Sequence, residues 1–260
     1  MYSILALFCL VVSTQAFFGK RPYPDWDQLS VTFPNYHDMP QNEGEARSQG
    51  WKFVSDGCAS ATNFKGKRYS SPDGPNSLLF DPVGNMAGIQ LAFPDNSKSP
   101  KGWSKAFVKE GKSVVLTAYF TDPNLICSGK RIAPKGYVGD NLYIVMNNGP
   151  VKIPLKESDI GATKWTKGKC FYGMGQHYWY DVSKDMDCQN FGPWFLLYNG
   201  GNLNAFGFAN FEDMVNKYVE NPPQRAIRLF FQEKPVCIEK QPHLTTQHIY
   251  LQRRPYLNFC

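Results

Sequence analysis

The chain has 260 residues, with 28 Lys and Arg against 22 Asp and Glu, for a net charge of +6. A surplus this small, spread along the chain without a dense basic patch, argues against nucleic acid as a partner. The chain's length is enough for one large β domain or two small domains.

Residues 1–16 carry no charged side chain, and an apolar run over residues 4–12 leads into Ser13-Thr14-Gln15-Ala16. That order predicts a secretory signal peptide over residues 1–16, cut after Ala16. The run falls short of the roughly 20 apolar residues that span a bilayer. No later segment reaches that length either, so the mature chain is expected outside the cell with no transmembrane segment. No Asn-x-Ser/Thr site occurs in it.

Cys9 leaves with the signal, and Cys58, Cys127, Cys170, Cys188, Cys237 and Cys260 remain. The number is even and no two lie at C-x-x-C spacing, which argues for disulfides in an oxidising compartment and against zinc or thioredoxin-like sites. The turn-rich segment between them makes Cys170–Cys188 the favoured pair. A bridge at Cys260 would pin an end that otherwise frays.

Residues 17–50, broken by Pro22, Pro24, Pro34 and Pro40, read as an extended N-terminal arm with one short helix near residues 25–29. Residues 51–260 read as a single β-rich domain. Residues 88–93 alternate, and residues 114–120 are a β-branched and aromatic run. Two hairpins join residues 142–146 to 151–155 through Asn147-Asn148-Gly149-Pro150, and 194–198 to 203–208 through Asn199-Gly200-Gly201-Asn202. Asn and Gly accept the positive φ that tight hairpin turns require. Further strands fit residues 176–181, 227–232 and 247–252. One helix is expected, over residues 211–219, capped by Asn210 and stopped by Asn221-Pro222-Pro223. This order predicts a mainly β fold, an antiparallel β-sandwich or jelly-roll-like domain with one short late helix, braced by disulfides.

Residues 171–211 hold twelve aromatic side chains, about twice the density of the whole chain at 15 %. In a strand over 176–181, Tyr178 and Tyr180 face one side while His177, Trp179 and Asp181 face the other. If one of these faces is exposed, His177, Tyr178, Trp179 and Tyr180 are the candidate ligand surface, suited to a glycan or an extracellular protein; the simpler reading is that these aromatics fill a sandwich core and its rim. Histidine is scarce, and His177, His243 and His248 form a candidate metal set. Convergence of two imidazoles near a carboxylate in one pocket would favour an enzyme, and scattered histidines a binding module. Asp181, Asp185 and Asp187 beside Cys188 offer oxygen ligands for Ca²⁺, with a solvated acidic turn the simpler reading. The segment from Gly102 to Ala106 lacks the last glycine of a nucleophile elbow. Lys98, Lys101, Lys105, Lys109 and Lys112, and also Lys164, Lys167 and Lys169, read as solvated faces or as contacts for an anionic surface.

The residues thus describe a secreted, disulfide-stabilised extracellular protein that acts as a non-enzymatic binding or interaction module. The alternatives are a secreted metal-dependent or hydrolytic enzyme using the histidines, and a membrane-active defence protein. No cofactor is specified.

Overall fold

The computed structural model describes residues 24–95, 106–146 and 149–260. The expected signal peptide over 1–16, the lysines at 98, 101 and 105 and the Asn147-Asn148 turn lie outside the described residues.

Two antiparallel sheets pack face to face. The first runs, in spatial order, β11 (Trp165–Phe171), β12 (Gly175–Tyr180), β13 (Trp194–Asn199), β14 (Asn202–Asn210), β15 (Thr245–Tyr250), β1 (Ser30–Val31) and β2 (His37–Asp38). The second runs β10 (Gly149–Lys152), β9 (Tyr143–Met146), β8 (Ser113–Tyr119), β6 (Met86–Pro94), β5 (Asn76–Phe80), β4 (Lys67–Ser70) and β3 (Lys52–Asp56), with β7 (Phe107–Glu110) also on β8. The predicted hairpins are β9–β10 and β13–β14. In the latter turn Gly200 and Gly201 hold φ of 55° and 73°, the left-handed region a two-residue hairpin turn needs.

Leu78, Phe80, Ile89 and Leu91 of the second sheet meet Leu196, Phe206 and Ile249 of the first in one buried cluster. Two amides cross the same core. Asn76 Nδ2 donates to Gln247 Oε1 and Gln247 Nε2 donates to Asn76 Oδ1, each at 2.9 Å. A reciprocal amide pair satisfies both side chains away from water and fixes one sheet against the other.

Period-two alternation along β15 sends Gln247 and Ile249 into that inter-sheet core, where Leu251 just past the strand joins them, while Tyr250 joins a second cluster on the opposite face. The first sheet is therefore buried on both faces, which is why Trp194 to Tyr198 reads as an unbroken apolar run. Its outer face is roofed by residues 211–244, through Ile227, Phe230, Phe231, Ile238 and Leu244. Gly207 on β14 permits the close approach there. A Cβ would stand 2.2 Å from Gln247 O and 2.3 Å from Phe195 Cζ.

Three expected elements differ. The helix over 211–219 is absent. Phe211 is buried in the outer cluster, whereas Met214 packs on the inter-sheet core with Tyr218, and Val215 is 90 % exposed. The apolar residues of this segment thus serve two separate cores. Asn210 Oδ1 closes a tight turn by accepting from Glu212 N at 2.9 Å, and Glu212 O accepts from the Thr245 hydroxyl on β15. Backbone groups that a helix would pair internally are taken by the sheet instead.

The strand expected over 227–232 is the end of a short helix, α3 (Gln224–Ile227), followed by turns, with Phe231 bridging to Gly168. Ile227, Phe230 and Phe231 drop into the outer cluster at helical rather than alternating spacing.

Residues 24–50 form no helix at 25–29. Instead Trp26, Leu29 and Val31 are buried, and β1 lies between β15 and β2. The helix falls later, at α1 (Glu43–Ser48), where Asn42 Oδ1 accepts from Glu45 N and the Glu45 carboxylate accepts from Gln41 N. This is close to a capping box in which the two side chains satisfy first-turn amides. A further one-turn helix, α2 (Pro123–Ile126), precedes Cys127.

The disulfides are Cys58–Cys127, Cys170–Cys260 and Cys188–Cys237, so the Cys170–Cys188 pairing is corrected. Cys170 pairs with Gln176 at the turn end of the β11–β12 hairpin, and Cys188 follows the far end of β12. The length of β12 separates that end from the other, and each cysteine meets a partner from a later segment instead. Cys260 is pinned by its bridge. Among the described residues no helix is long and apolar enough to cross a membrane.

Candidate functional site

Strand β12 divides its four candidate ligand residues between two interiors. Tyr178 faces the inter-sheet core against Tyr198, its ring centroid 5.4 Å away, and its hydroxyl donates to Glu157 Oε1 at 2.8 Å. Burial first, and then that carboxylate, raises its pKa above the usual phenol range. Tyr180 is half-buried on the same side, edge-on to Trp165. His177 and Trp179 point the other way, under the roof.

Between roof and sheet lies a cavity of about 250 Å³. Phe33, Phe171, Met174, Trp179, Phe195 and Phe230 make its apolar walls, and Pro222 and Ala226 close it from the roof side. Trp179 is the centre of this packing. Its ring stacks on Phe231 at 4.3 Å and meets Phe195 at 5.0 Å, while Nε1 donates to Phe230 O at 3.0 Å.

The polar lining is concentrated at His177, His248 and Glu220, with Thr246 and Asn221 beside them. His177 Nδ1 lies 3.0 Å from Lys169 O, and the imidazole is fully buried. Burial, and secondarily the neighbouring His248, push its pKa down to about 3, so it stays neutral. His248 stands edge-on to it at 6.1 Å and packs on Phe195 at 4.9 Å. Its Nδ1 is 3.1 Å from Glu220 Oε2. That carboxylate is fixed by the Phe33 amide on Oε1 at 2.7 Å and the Thr246 hydroxyl on Oε2 at 2.8 Å. The approach to Nδ1 is off the line of a hydrogen bond, and neither nitrogen of His248 makes one, although the residue is only 4 % exposed.

The neutral state of His177 has a measurable consequence. An unfolded imidazole gains a proton below about 6.5 and the buried one does not until about 3, so stability falls as pH drops through that window. The expected slope is about 1.4 kcal/mol per pH unit from this group. Urea unfolding at pH 7 and pH 5 should show a smaller acid loss in His177→Leu than in the natural protein. Equal losses would mean that the buried ring takes up a proton.

His243 does not belong to this group. It is exposed and lies 3.9 Å from Asp213. The expected three-histidine metal set is thus corrected to two converging imidazoles and a carboxylate. Among the described residues no three His, Cys, Asp or Glu side chains are grouped to hold a metal ion. The acidic turn does not supply one either, since Asp181 pairs with Lys164 at 3.1 Å and Asp187 caps Gln189 N at 2.9 Å.

Glu220, Phe33 and Phe171 escaped the sequence reading. Glu220 falls between the expected helix over 211–219 and the Asn221-Pro222-Pro223 stop, and nothing in its neighbours signals that it meets a histidine 28 positions away. A larger but shallower hollow, about 570 Å³, lies around Trp51 and Phe53. Both of its carboxylates are already engaged: Asp56 accepts from Cys58 N at 2.8 Å, and although burial opposes ionisation of Glu43, bonds from Tyr69, Lys67 and Arg47 outweigh it and hold the pKa down to about 2. Compared with known proteins, the chain matches no family model, no curated protein and no solved structure.

Proposed function

We propose that the protein is an extracellular binding protein for a small, mostly apolar molecule, held between the outer face of the first sheet and its roof. The observation that carries this reading is the cavity of about 250 Å³, walled by aromatic side chains and carrying a few convergent polar groups, the usual composition of a small-molecule site. It exceeds the ~150 Å³ that holds benzene and falls below the ~300 Å³ low end of drug-sized pockets. The matching ligand is one or two rings. A glycan is less well supported, because Tyr178 and Tyr180 turn into the inter-sheet core instead of forming an outward platform. The three disulfides and the leader-like first sixteen residues support the extracellular setting.

Titration with 2-methoxynaphthalene, followed by tryptophan fluorescence, tests the reading. One saturable site is expected, and Ala226→Phe, which fills the cavity from the roof, should weaken it at least tenfold without lowering the thermal midpoint. Absence of binding by any ring compound of this size, or equal binding by the variant, overturns the proposal.

A second reading, an enzyme, rests on the convergence of His177 and His248 near Glu220, with 3.1 Å between His248 and that carboxylate. It ranks second because His248 makes no hydrogen bond to the carboxylate and His177 Nδ1 is held by Lys169 O. A carboxylate-backed imidazole is the arrangement of a general base. On that reading the bound molecule is converted. Recovery of unchanged ligand after long incubation decides against it.

A further inference from the structure

Counting hydrogens around the cavity sharpens what its ligand must carry, given the binding role proposed above. The buried donors in its lining are already spent. Trp179 Nε1 gives its hydrogen to Phe230 O at 3.0 Å and the Thr246 hydroxyl to Glu220 Oε2 at 2.8 Å, while Asn221, which is exposed, commits one of its two Nδ2 hydrogens to Met214 O at 2.8 Å. His177 Nδ1 faces Lys169 O at 3.0 Å, which places its proton there. The group left over is His248, 4 % exposed, with no hydrogen-bond partner for either nitrogen.

Its tautomer follows from its neighbour. The Glu220 carboxylate, 3.1 Å from Nδ1, favours the proton on that nitrogen and leaves Nε2 with a bare lone pair. A buried acceptor without a partner is destabilising, and a suitable ligand recovers that loss. The same carboxylate repels an anion entering the cavity, where the apolar walls weaken screening.

We infer that the cavity selects a neutral ring compound that donates a hydrogen bond, an alcohol or phenol, to His248 Nε2, and discriminates against ethers and carboxylic acids of the same shape. The ligand hydroxyl would replace the missing donor, while the ring fills the space between Phe195 and Phe230.

Calorimetric titration of the natural protein with 2-naphthol, 2-methoxynaphthalene and 2-naphthoate at neutral pH is the test. The naphthol should bind about tenfold more tightly than the ether, the equivalent of one neutral hydrogen bond, and the carboxylate more weakly than either. In His248→Phe the naphthol and the ether should bind alike. Equal affinities across the series in the natural protein, or tightest binding of the carboxylate, overturn the inference while leaving the binding role standing. If none of the three binds, the binding role itself fails.

Discussion

Truncating Trp179 to alanine is expected to cost about 3–5 kcal/mol of folding stability, the largest loss from any single side chain near the site. The indole is 3 % exposed, so its removal opens a void that nearby rings cannot fill without leaving their own contacts. Its loss also strips Phe230 O of the Nε1 donor and Phe231 of its stacking partner. Both belong to the roof, so the damage should be greatest where the roof meets the sheet. Urea unfolding measures the global cost, and ligand titration at low urea measures the local one. A loss below about 1 kcal/mol would show that the roof does not pack on β12 as described.

Removing the Cys188–Cys237 bridge, with both residues changed to serine, should lower stability by about 4 kcal/mol. The bridge closes 49 residues, and a loop of that length gives this figure in the chain-entropy account. Cys237 lies in the roof and Cys188 in the turn after β12, so this bridge holds the cavity's cover. The contrasting case is Cys58–Cys127, which closes 69 residues beside a separate small cluster of the second sheet. Its removal should cost a similar amount globally yet leave ligand affinity in the folded protein unchanged. Chemical unfolding and calorimetric titration of both variants distinguish the two roles. Equal effects on binding would contradict the placement of the cavity.

Strands whose pattern is local were legible. The run later seen as β8, the alternation of β6 and the Asn-Gly turn between β13 and β14 each carry their own signal within ten residues. The division of β12 into a tyrosine face and a His177–Trp179 face was equally local, because alternation is a property of extended backbone. What each face meets was not. Tyr178 and Tyr180 looked suited to an exposed platform, but a second sheet covers them.

The misread elements share a physical cause. Residues 211–219 carry a cap-like Asn210 and apolar residues at spacings compatible with a helix. Thr245, some thirty positions on, captures Glu212 O and draws the segment along β15. Residues 24–31 look irregular because proline and aspartate interrupt them, yet Trp26 and Leu29 find a core built by distant strands. Asn42 and Glu45 are the opposite case, a capping pair three residues apart whose signal is local.

By itself, the sequence determined the β-rich class, the pairing of the two hairpins, the even set of six disulfide-forming cysteines and the facing of β12, because each depends on residues close together in the chain. Only the tertiary structure decided which cysteines pair, that Glu220 meets His248 while His243 stands apart, and that two faces of one sheet are buried. Those are contacts closed across dozens of residues, selected by which surfaces must leave water together, and no short window of residues contains them.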